Sequence, residues 1–272
     1  MLDIAERAKR YFRANSARTV CRKPVTIRSE TPLISFTFDD FPRTAWLTGG
    51  EILGSFGVAG TYYAALGCMG GDSPSGQIFS KSDLKPILDA GHELGSHTYS
   101  HCDSWKTTPE AFEKSIIENQ MALSSLIPGE EFKTFSYPIR PPRPETKRRT
   151  AKYFRCSRGL RQSLNSGAAD LNQLSAFFIE RADDGIRTIR DLIDRNKKEC
   201  GWIIFVTHDV APKPSRFGCT AELLEDTVAY AVESGARILP VAKALECILE
   251  TSWGERAHAQ RETPPLASPP VS

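Results

Sequence analysis

Apolar and polar positions along the middle of the chain follow two different periods. The strand-like runs are ISFTFDD, GTYYAAL, FKTFSYP, LSAFFIER and WIIFVTHD, which are continuously apolar or alternate every second residue. Between such runs, PEAFEKSIIENQMALSSL and TAELLEDTVAYAVESG repeat apolar residues every three to four positions, which predicts helices. Thr108 and Thr220 are suited to cap these two helices, and Gly235 is suited to end the second.

This alternation predicts a parallel sheet covered by helices, because parallel strands need crossover connections and helices commonly supply them. Several strand-like runs are almost wholly apolar, as expected for strands that are buried on both faces. We expect an α/β fold, either a closed (β/α) barrel or an open doubly wound sheet. In both architectures, functional side chains gather at the carboxyl ends of the strands.

The two ends of the chain differ from its middle. Residues 1–30 are interpreted as an N-terminal helix followed by a linker, and residues 31–250 carry the strand and helix alternation. Residues 251–272 include the Pro-rich end ETPPLASPPVS, have no periodic pattern and are expected to be disordered. With 272 residues and 40% hydrophobic content, the chain is expected to form one main domain.

The charge balance and the cysteines narrow the class of protein. The 35 basic and 33 acidic residues nearly cancel, so neither nucleic acid nor a membrane surface is expected as a partner. The N-terminal sequence lacks the apolar run of a signal peptide, and no segment approaches the roughly 18 apolar residues of a membrane span. The seven cysteines are odd in number and form no CxxC pair. We therefore expect a cytoplasmic protein with free thiols.

Five side chains suited to metal or proton chemistry fall at predicted strand ends. Asp39 and Asp40 are adjacent carboxylates, which repel each other unless a partner uses them. His97 and His101 lie four residues apart in HTYSH and share one face if this segment is a helical turn. His208 ends the run WIIFVTHD. Each feature alone has a structural interpretation, but together they predict a metallohydrolase in which two histidines and a carboxylate bind a divalent ion.

The order TFDD, HTYSH, a Tyr-Pro segment and a strand ending in His resembles the NodB-type polysaccharide deacetylases, carbohydrate esterase family four. The resemblance covers roughly residues 31–248, and FSYP is similar to the third motif of a Tyr-Pro subgroup. It implies a distorted (β/α) barrel that removes N-acetyl groups from an amino-sugar-containing polysaccharide, oligosaccharide or sugar precursor. The alternatives are a hydrolase of cyclic amides or imides, a hydrolase of O-acetyl esters, and a non-catalytic carbohydrate-binding relative.

The resemblance also implies a role for each residue at the strand ends. Asp39 corresponds to the catalytic base and His208 to the general acid. The metal ligands correspond to Asp40, His97 and His101. One divalent ion is implied, with zinc expected first and cobalt, nickel, manganese or iron as alternatives.

Other positions of the family pattern are matched less completely. The resemblance implies that the Ile139 N–H donates to the oxyanion and that Val206 and Tyr137 line the substrate pocket. An arginine that orients the base and an aspartate that supports the acid histidine are each left open. The candidates are Arg140, Arg143 and Arg158 for the first, and Asp170, Asp183 and Asp184 for the second.

The basic stretch RPETKRRTAKYFRCSRGLR, residues 143–161, has two interpretations. It is either the solvated face of a helix or a site that binds the phosphate of a nucleotide-linked or lipid-linked sugar. The solvated face of a helix is the more common interpretation of such a run.

Overall fold

A computed structural model describes residues 4–250 of the chain, and strands with intervening helices make up most of this part. The strands are β1 (Pro24–Ile27), β2 (Leu33–Phe38), β3 (Thr61–Ala64), β4 (Asp72–Ser73), β5 (Gly76–Gln77), β6 (Glu93–Ser96), β7 (Thr134–Ser136), β8 (Cys156–Gln162), β9 (Gly167–Asp170), β10 (Leu174–Phe178), β11 (Trp202–Thr207) and β12 (Arg237–Ile238). The helices are α1 (Ile4–Asn15), α2 (Glu51–Ser55), α3 (Lys81–Asp89), α4 (Pro109–Leu126), α5 (Pro144–Thr150), α6 (Ile186–Glu199) and α7 (Ala221–Glu233). Residues 241–250 are also helical.

Seven strands form a closed barrel in the order β2, β3, β6, β7, β8, β10 and β11, and β11 pairs back onto β2. All neighbouring strands in this ring are parallel. The pairing of β8 with β10 shifts register between Leu174 and Ala176, and β12 lies beside the first half of β2. The predicted distorted (β/α) barrel is therefore confirmed, and the open doubly wound alternative is wrong.

The helix ends follow the signals in the sequence. At the start of α4, the Thr108 hydroxyl accepts a hydrogen bond from the Ala111 N–H at 3.2 Å, and at the start of α7, Thr220 accepts one from the Leu223 N–H at 3.3 Å. Gly235 follows α7 with a φ of 78°, a left-handed conformation that suits glycine. The predicted caps and the predicted end of α7 are thus confirmed.

The elements that the sequence patterns missed are short or unusual in composition. β8 has the sequence CSRGLRQ, and its arginines and glycine obscure a strand pattern. Within residues 1–30, the segment Pro24–Ile27 is a strand that pairs antiparallel with β9. Residues 251–272, which were expected to be disordered, lie outside the described residues.

The barrel interior is filled by apolar side chains at the end where the strands begin. Leu33, Leu174 and Trp202 lie near the amino ends of their strands and pack with Val241 and Leu245 of the helical segment 241–250. A second core lies between the outer faces of the strands and the surrounding helices. Because the apolar residues occupy the amino end, the polar inward-facing side chains gather at the carboxyl end, where the predicted site lies.

Two further observations bear on the expected location of the protein. None of the helices in residues 4–250 is both long and apolar enough to cross a bilayer. All seven cysteines lie within this range, and none of them forms a disulfide bond there. The cytoplasmic location stays a prediction.

Candidate active site

Asp39 and Asp40 leave the end of β2 toward different partners. The Asp39 N–H donates to the Thr207 carbonyl at 3.0 Å, so pairing with β11 continues one residue beyond the strand. Asp40 and Phe41 then adopt left-handed conformations with φ of 59° and 54°. Asp tolerates this conformation better than most residues do, and the buried Phe41 ring stacks on Phe79 with centroids 4.4 Å apart. This turn separates two adjacent carboxylates.

Asp39 is buried against the equally buried Arg158. The Arg158 Nη2 donates to Asp39 Oδ1 and, at 2.6 Å, to Ser136 Oγ. Burial alone would raise the pKa of Asp39, but the charge of Arg158 and then those of His97 and His208 lower this pKa below its ordinary value. Asp39 is therefore ionised at neutral pH, as a catalytic base must be.

Of the three arginines that the sequence left open, Arg158 is the one in contact with Asp39. Arg140 instead forms an ion pair with Asp103 at 2.9 Å. Arg143 donates to the carbonyl oxygens of Ser104 and Thr107. The arginine beside the predicted base therefore comes from β8, a strand that the sequence patterns did not show.

Asp40, His97 and His101 converge on one point. The Asp40 Oδ1 lies 3.0 Å from the His101 Nε2 and 3.4 Å from the His97 Nε2. The His97 Nδ1 lies 2.8 Å from the Ser136 carbonyl, so Nδ1 carries the proton and Nε2 presents a lone pair. One ligand atom from each of the three residues lies within 4.8 Å of the other two, and Asp40 Oδ1 is buried without a well-formed hydrogen bond. This donor set fits a divalent ion.

Protons compete with a metal for the same atoms. Burial lowers the pKa of His101, but the close carboxylate of Asp40 raises it, and the net result is a raised pKa. A protonated imidazole cannot bind a metal, so occupancy of the cluster should fall in acid.

An irregular loop, and not a helical turn, brings the two histidines together. Residues 97–101 follow β6 without helical structure, and Thr98 and His101 have φ of 61° and 50°. The Cys102 N–H donates to Thr98 Oγ1 at 2.9 Å, which holds the loop closed. The two imidazole centroids lie 5.1 Å apart. The histidines meet as predicted, but the helical reason given for their spacing is wrong.

His208 is oriented by a backbone carbonyl. Its N–H and its Nδ1 each lie 3.1 Å from the Phe217 carbonyl oxygen, and its Nε2 lies 3.9 Å from Asp40 Oδ2. Burial lowers the pKa of His208, although Asp39 and Asp40 oppose this. With Nδ1 held in this way, Nε2 is free to exchange a proton with a bound substrate.

None of the three aspartates considered as partners of His208 contacts it. Asp170 forms an ion pair with Lys147 at 2.6 Å, while Asp183 and Asp184 are exposed. The Phe217 carbonyl occupies the position that such an aspartate was expected to fill.

A cavity of about 480 Å³ opens over these groups, and its wall includes both carboxylates, the three histidines and Ile139. Ile139 has a φ of 64°, and its N–H forms no hydrogen bond with any residue in the described range. The structure therefore brings together six of the eight predicted site residues. Their roles remain predictions.

Val206 and Tyr137 do not line this cavity. Val206 faces the barrel interior but is fully buried below the cavity floor. Tyr137 lies on the outer face of the barrel, where its hydroxyl donates to the Asn172 carbonyl at 3.3 Å. The apolar part of the wall instead includes Leu160 of β8 and Phe178 of β10, which the sequence analysis missed.

Several cations of the basic stretch 143–161 are paired within the protein. Lys147 is fully buried, and its Nζ donates to the Ala17 carbonyl at 2.7 Å and to Asp170 at 2.6 Å. Arg149 contacts Glu113 at 2.5 Å. These contacts favour a structural role for the stretch over phosphate binding.

Comparison with known proteins agrees with the geometry of the site. The sequence model for the polysaccharide deacetylase family matches residues 27–155, a range that includes Asp39, Asp40, His97 and His101. The matched range, 129 of 272 residues, is similar to polysaccharide deacetylases and ends before Arg158 and His208. No curated protein matches this chain.

Solved structures share its fold at low sequence identity. A family 4 acetyl xylan esterase from Clostridium thermocellum, in complex with a cobalt ion, is 19% identical with a TM-score of 0.56, over 79% of this chain and 90% of that one. The chitin deacetylase of Colletotrichum lindemuthianum is 14% identical with a TM-score of 0.56, over 80% and 89%. A CE4 family pseudoenzyme from Bacillus anthracis is 15% identical with a TM-score of 0.53, over 80% and 66%.

Proposed function

We propose that this protein is a metal-dependent hydrolase that removes N-acetyl groups from an amino-sugar-containing carbohydrate. The observation that carries the proposal is the pairing of Asp39 with the buried Arg158 directly beside the converging atoms of Asp40, His97 and His101. One carboxylate is thereby kept for proton transfer and its neighbour for a cation. The chitin deacetylase and the cobalt-bound esterase of the same fold support an acetyl group as the target and a divalent ion as the cofactor.

The metal would be held by Asp40, His97 and His101, with zinc expected first and cobalt, nickel, manganese or iron as alternatives. When bound, it polarises the acetamide carbonyl and acidifies a water molecule. Asp39 accepts the proton of the attacking water. Arg158 keeps Asp39 ionised and fixes the direction of its carboxylate.

The remaining groups act on the oxyanion and on the leaving amine. The Ile139 N–H donates to the negative oxygen that forms on the carbonyl carbon. His208 delivers a proton from Nε2 to the amine as the C–N bond breaks, while Phe217 holds its Nδ1. Leu160 provides an apolar surface for the acetyl methyl group.

A cytoplasmic location is part of the proposal. None of the seven cysteines forms a disulfide bond in the described residues, which supports it because reduced thiols persist in a reducing compartment. Thiol titration of freshly isolated protein without reductant should find most of them reduced, and native disulfides would contradict the location.

Acetate release separates the proposal from its rivals. Metal-loaded protein should release acetate and expose an amine on N-acetylated chitooligosaccharides, and Asp39→Asn should lower turnover by about 10²–10⁴. Release from O-acetylated xylan alone, or ring opening of cyclic imides without acetate, would assign the site to a rival hydrolase. Folded, metal-loaded protein that hydrolyses none of these compounds would match a non-catalytic carbohydrate-binding relative.

A further inference from the structure

Two arginines without a catalytic role, Arg181 and Arg216, line the wall of the same cavity. Arg181 ends the short 3₁₀ turn that follows β10, and Arg216 lies in the loop that follows β11. These strands are neighbours in the barrel, with Phe178 paired to Val206. The two arginines therefore follow adjacent strands of the barrel and line the cavity together with His208.

Aromatic rings support both guanidinium groups. The Cζ of Arg181 lies 4.0 Å from the Phe178 ring centroid, and the Cζ of Arg216 lies 4.5 Å from the Phe217 ring centroid. Both rings also line the cavity. Stacking uses the face of a guanidinium group and leaves its N–H edge able to donate to a ligand.

The loop that carries Arg216 is fixed on both sides of this residue. Asp209 accepts hydrogen bonds from the N–H and the hydroxyl of Ser215 at 2.7 and 2.6 Å. The Phe217 carbonyl is held by the N–H and the Nδ1 of His208. The backbone of Arg216 is therefore held in place beside the proposed acid. Because of this, Arg216 loses less conformational entropy when it binds a ligand.

The positive charge of the two arginines is poorly compensated. Within residues 4–250, Arg216 forms no hydrogen bond or ion pair with a protein group. The acid nearest to Arg181 is Glu180, whose Oε1 lies 3.7 Å from the Arg181 Nε. Burial raises the pKa of Glu180 to about 8, so this group is mostly protonated at neutral pH. Besides the two catalytic-site carboxylates, the wall contains one acid, the exposed Asp72.

The proposed chemistry determines which part of the substrate faces these arginines. His208 gives its proton to the departing amine, and that amine remains on the sugar. The sugar ring must therefore lie on the His208 side of the cavity, which is the side of Arg181 and Arg216. Guanidinium groups bind the oxygens of carboxylates and phosphates with charge-assisted hydrogen bonds.

We propose that the substrate carries an anionic group, a carboxylate or a phosphate, on or next to the sugar that loses its acetyl group, and that Arg181 and Arg216 bind this group. The inference rests on the proposed deacetylase function. It predicts that the protein prefers anionic sugars over neutral glycans. Substrates that carry either a carboxylate or a phosphate distinguish the two sources of negative charge.

Steady-state acetate release from three compounds tests the inference. They are a neutral chitooligosaccharide, an oligosaccharide whose N-acetylated sugar carries a 3-O-lactyl carboxylate, and N-acetylglucosamine 1-phosphate. At low salt, kcat/KM should be about tenfold or more higher for one of the anionic compounds than for the neutral one. Arg181→Gln/Arg216→Gln should lower that value by about 10- to 100-fold, mainly through KM, and change the neutral substrate by less than about twofold.

Two control variants make the test specific. Lys213→Gln removes a charge from the same loop at a residue that does not line the cavity, so it should leave both kinds of substrate unchanged. Arg216→Lys keeps the charge and should retain part of the preference. Equal kcat/KM for neutral and anionic substrates, or equal losses on both in the double variant, would overturn the inference and leave the deacetylase proposal intact.

If none of the compounds releases acetate, the deacetylase proposal fails and binding decides the inference. Calorimetric titration would then compare N-acetylglucosamine 1-phosphate and N-acetylmuramic acid with N-acetylglucosamine. Tighter binding of an anionic sugar that the double variant loses would support the arginine site. Equal affinities for charged and neutral sugars would refute it.

Discussion

Replacing Arg158 by methionine tests whether an ion pair holds the proposed base. Methionine keeps the apolar stem and removes the guanidinium group, so Asp39 becomes a buried carboxylate without a cation. Removing one partner of a buried ion pair costs about 3–5 kcal/mol. We expect the free energy of unfolding of Arg158→Met to fall by about this amount at pH 7.

The cost should depend on pH in a defined direction. The folded-state pKa of Asp39 lies below its ordinary 3.8, so the stability contributed by the pair is present above that pH and is lost as the pH falls through the folded-state pKa. The difference in stability between Arg158→Met and the unchanged protein should therefore shrink on acidification below about pH 4.

Turnover should fall as well, because an unpaired and partly protonated Asp39 is a poor base. A positioned base contributes about 10²–10⁴ in rate, so Arg158→Met should lose a large part of that factor. Combined with Asp39→Asn, it should slow the reaction little further, since both changes remove the same function.

Urea unfolding at pH 7 and at about pH 3, together with acetate release, measures all three effects. Arg155→Met is a matched control, because the Arg155 pair with Glu246 at 2.6 Å is largely exposed and should be worth about 0–1 kcal/mol. A loss of stability in Arg158→Met no larger than that in Arg155→Met, or unchanged turnover, would refute the reasoning.

Three other titratable groups give independent predictions. Burial raises the pKa of Glu180 from 4.5 to about 8, so between these pH values the folded state keeps a proton that the unfolded state releases, and the stability of the protein falls as the pH rises. Glu180→Gln should remove up to about 5 kcal/mol of this fall, which urea midpoints at pH 5 and pH 9 measure. Lys147→Met leaves the partly buried Asp170 without its cation and should cost about 3–5 kcal/mol; lost activity at unchanged stability would instead favour phosphate binding. His208→Ala should abolish the alkaline fall of kcat/KM, which burial of His208 shifts toward lower pH, whereas an unchanged profile would make His208 structural.

The predicted site residues that the structure brings together were accessible from local patterns. ISFTFDD and WIIFVTHD are strands whose ends are visible in the sequence, and in a parallel barrel such ends meet at one rim. Asp39, Asp40 and His208 therefore converge without any knowledge of the connecting segments. The HTYSH loop was harder to read, because left-handed residues and not a helical period set its shape.

Features that depend on pairing between distant segments were not accessible. Arg158 lies 119 residues from Asp39 along the chain, in a strand whose composition hides its period. The Phe217 carbonyl that orients His208 belongs to a loop without a pattern. Tyr137 shows the opposite case: it directly follows Ser136, which faces Arg158, so strand alternation indicates an outward position for Tyr137 and argues against its assignment to the pocket.

The adjacent carboxylates of Asp39 and Asp40 are chemically identical but are assigned different roles. The most direct test measures zinc content and turnover for Asp39→Asn and for Asp40→Asn. Asp39→Asn should keep about one zinc per chain while turnover falls by about 10²–10⁴. Asp40→Asn should bind zinc more weakly and lose activity in part through lost occupancy. Loss of zinc in Asp39→Asn with retention in Asp40→Asn would contradict the account, as would two variants that lose stability together but keep full activity per folded molecule.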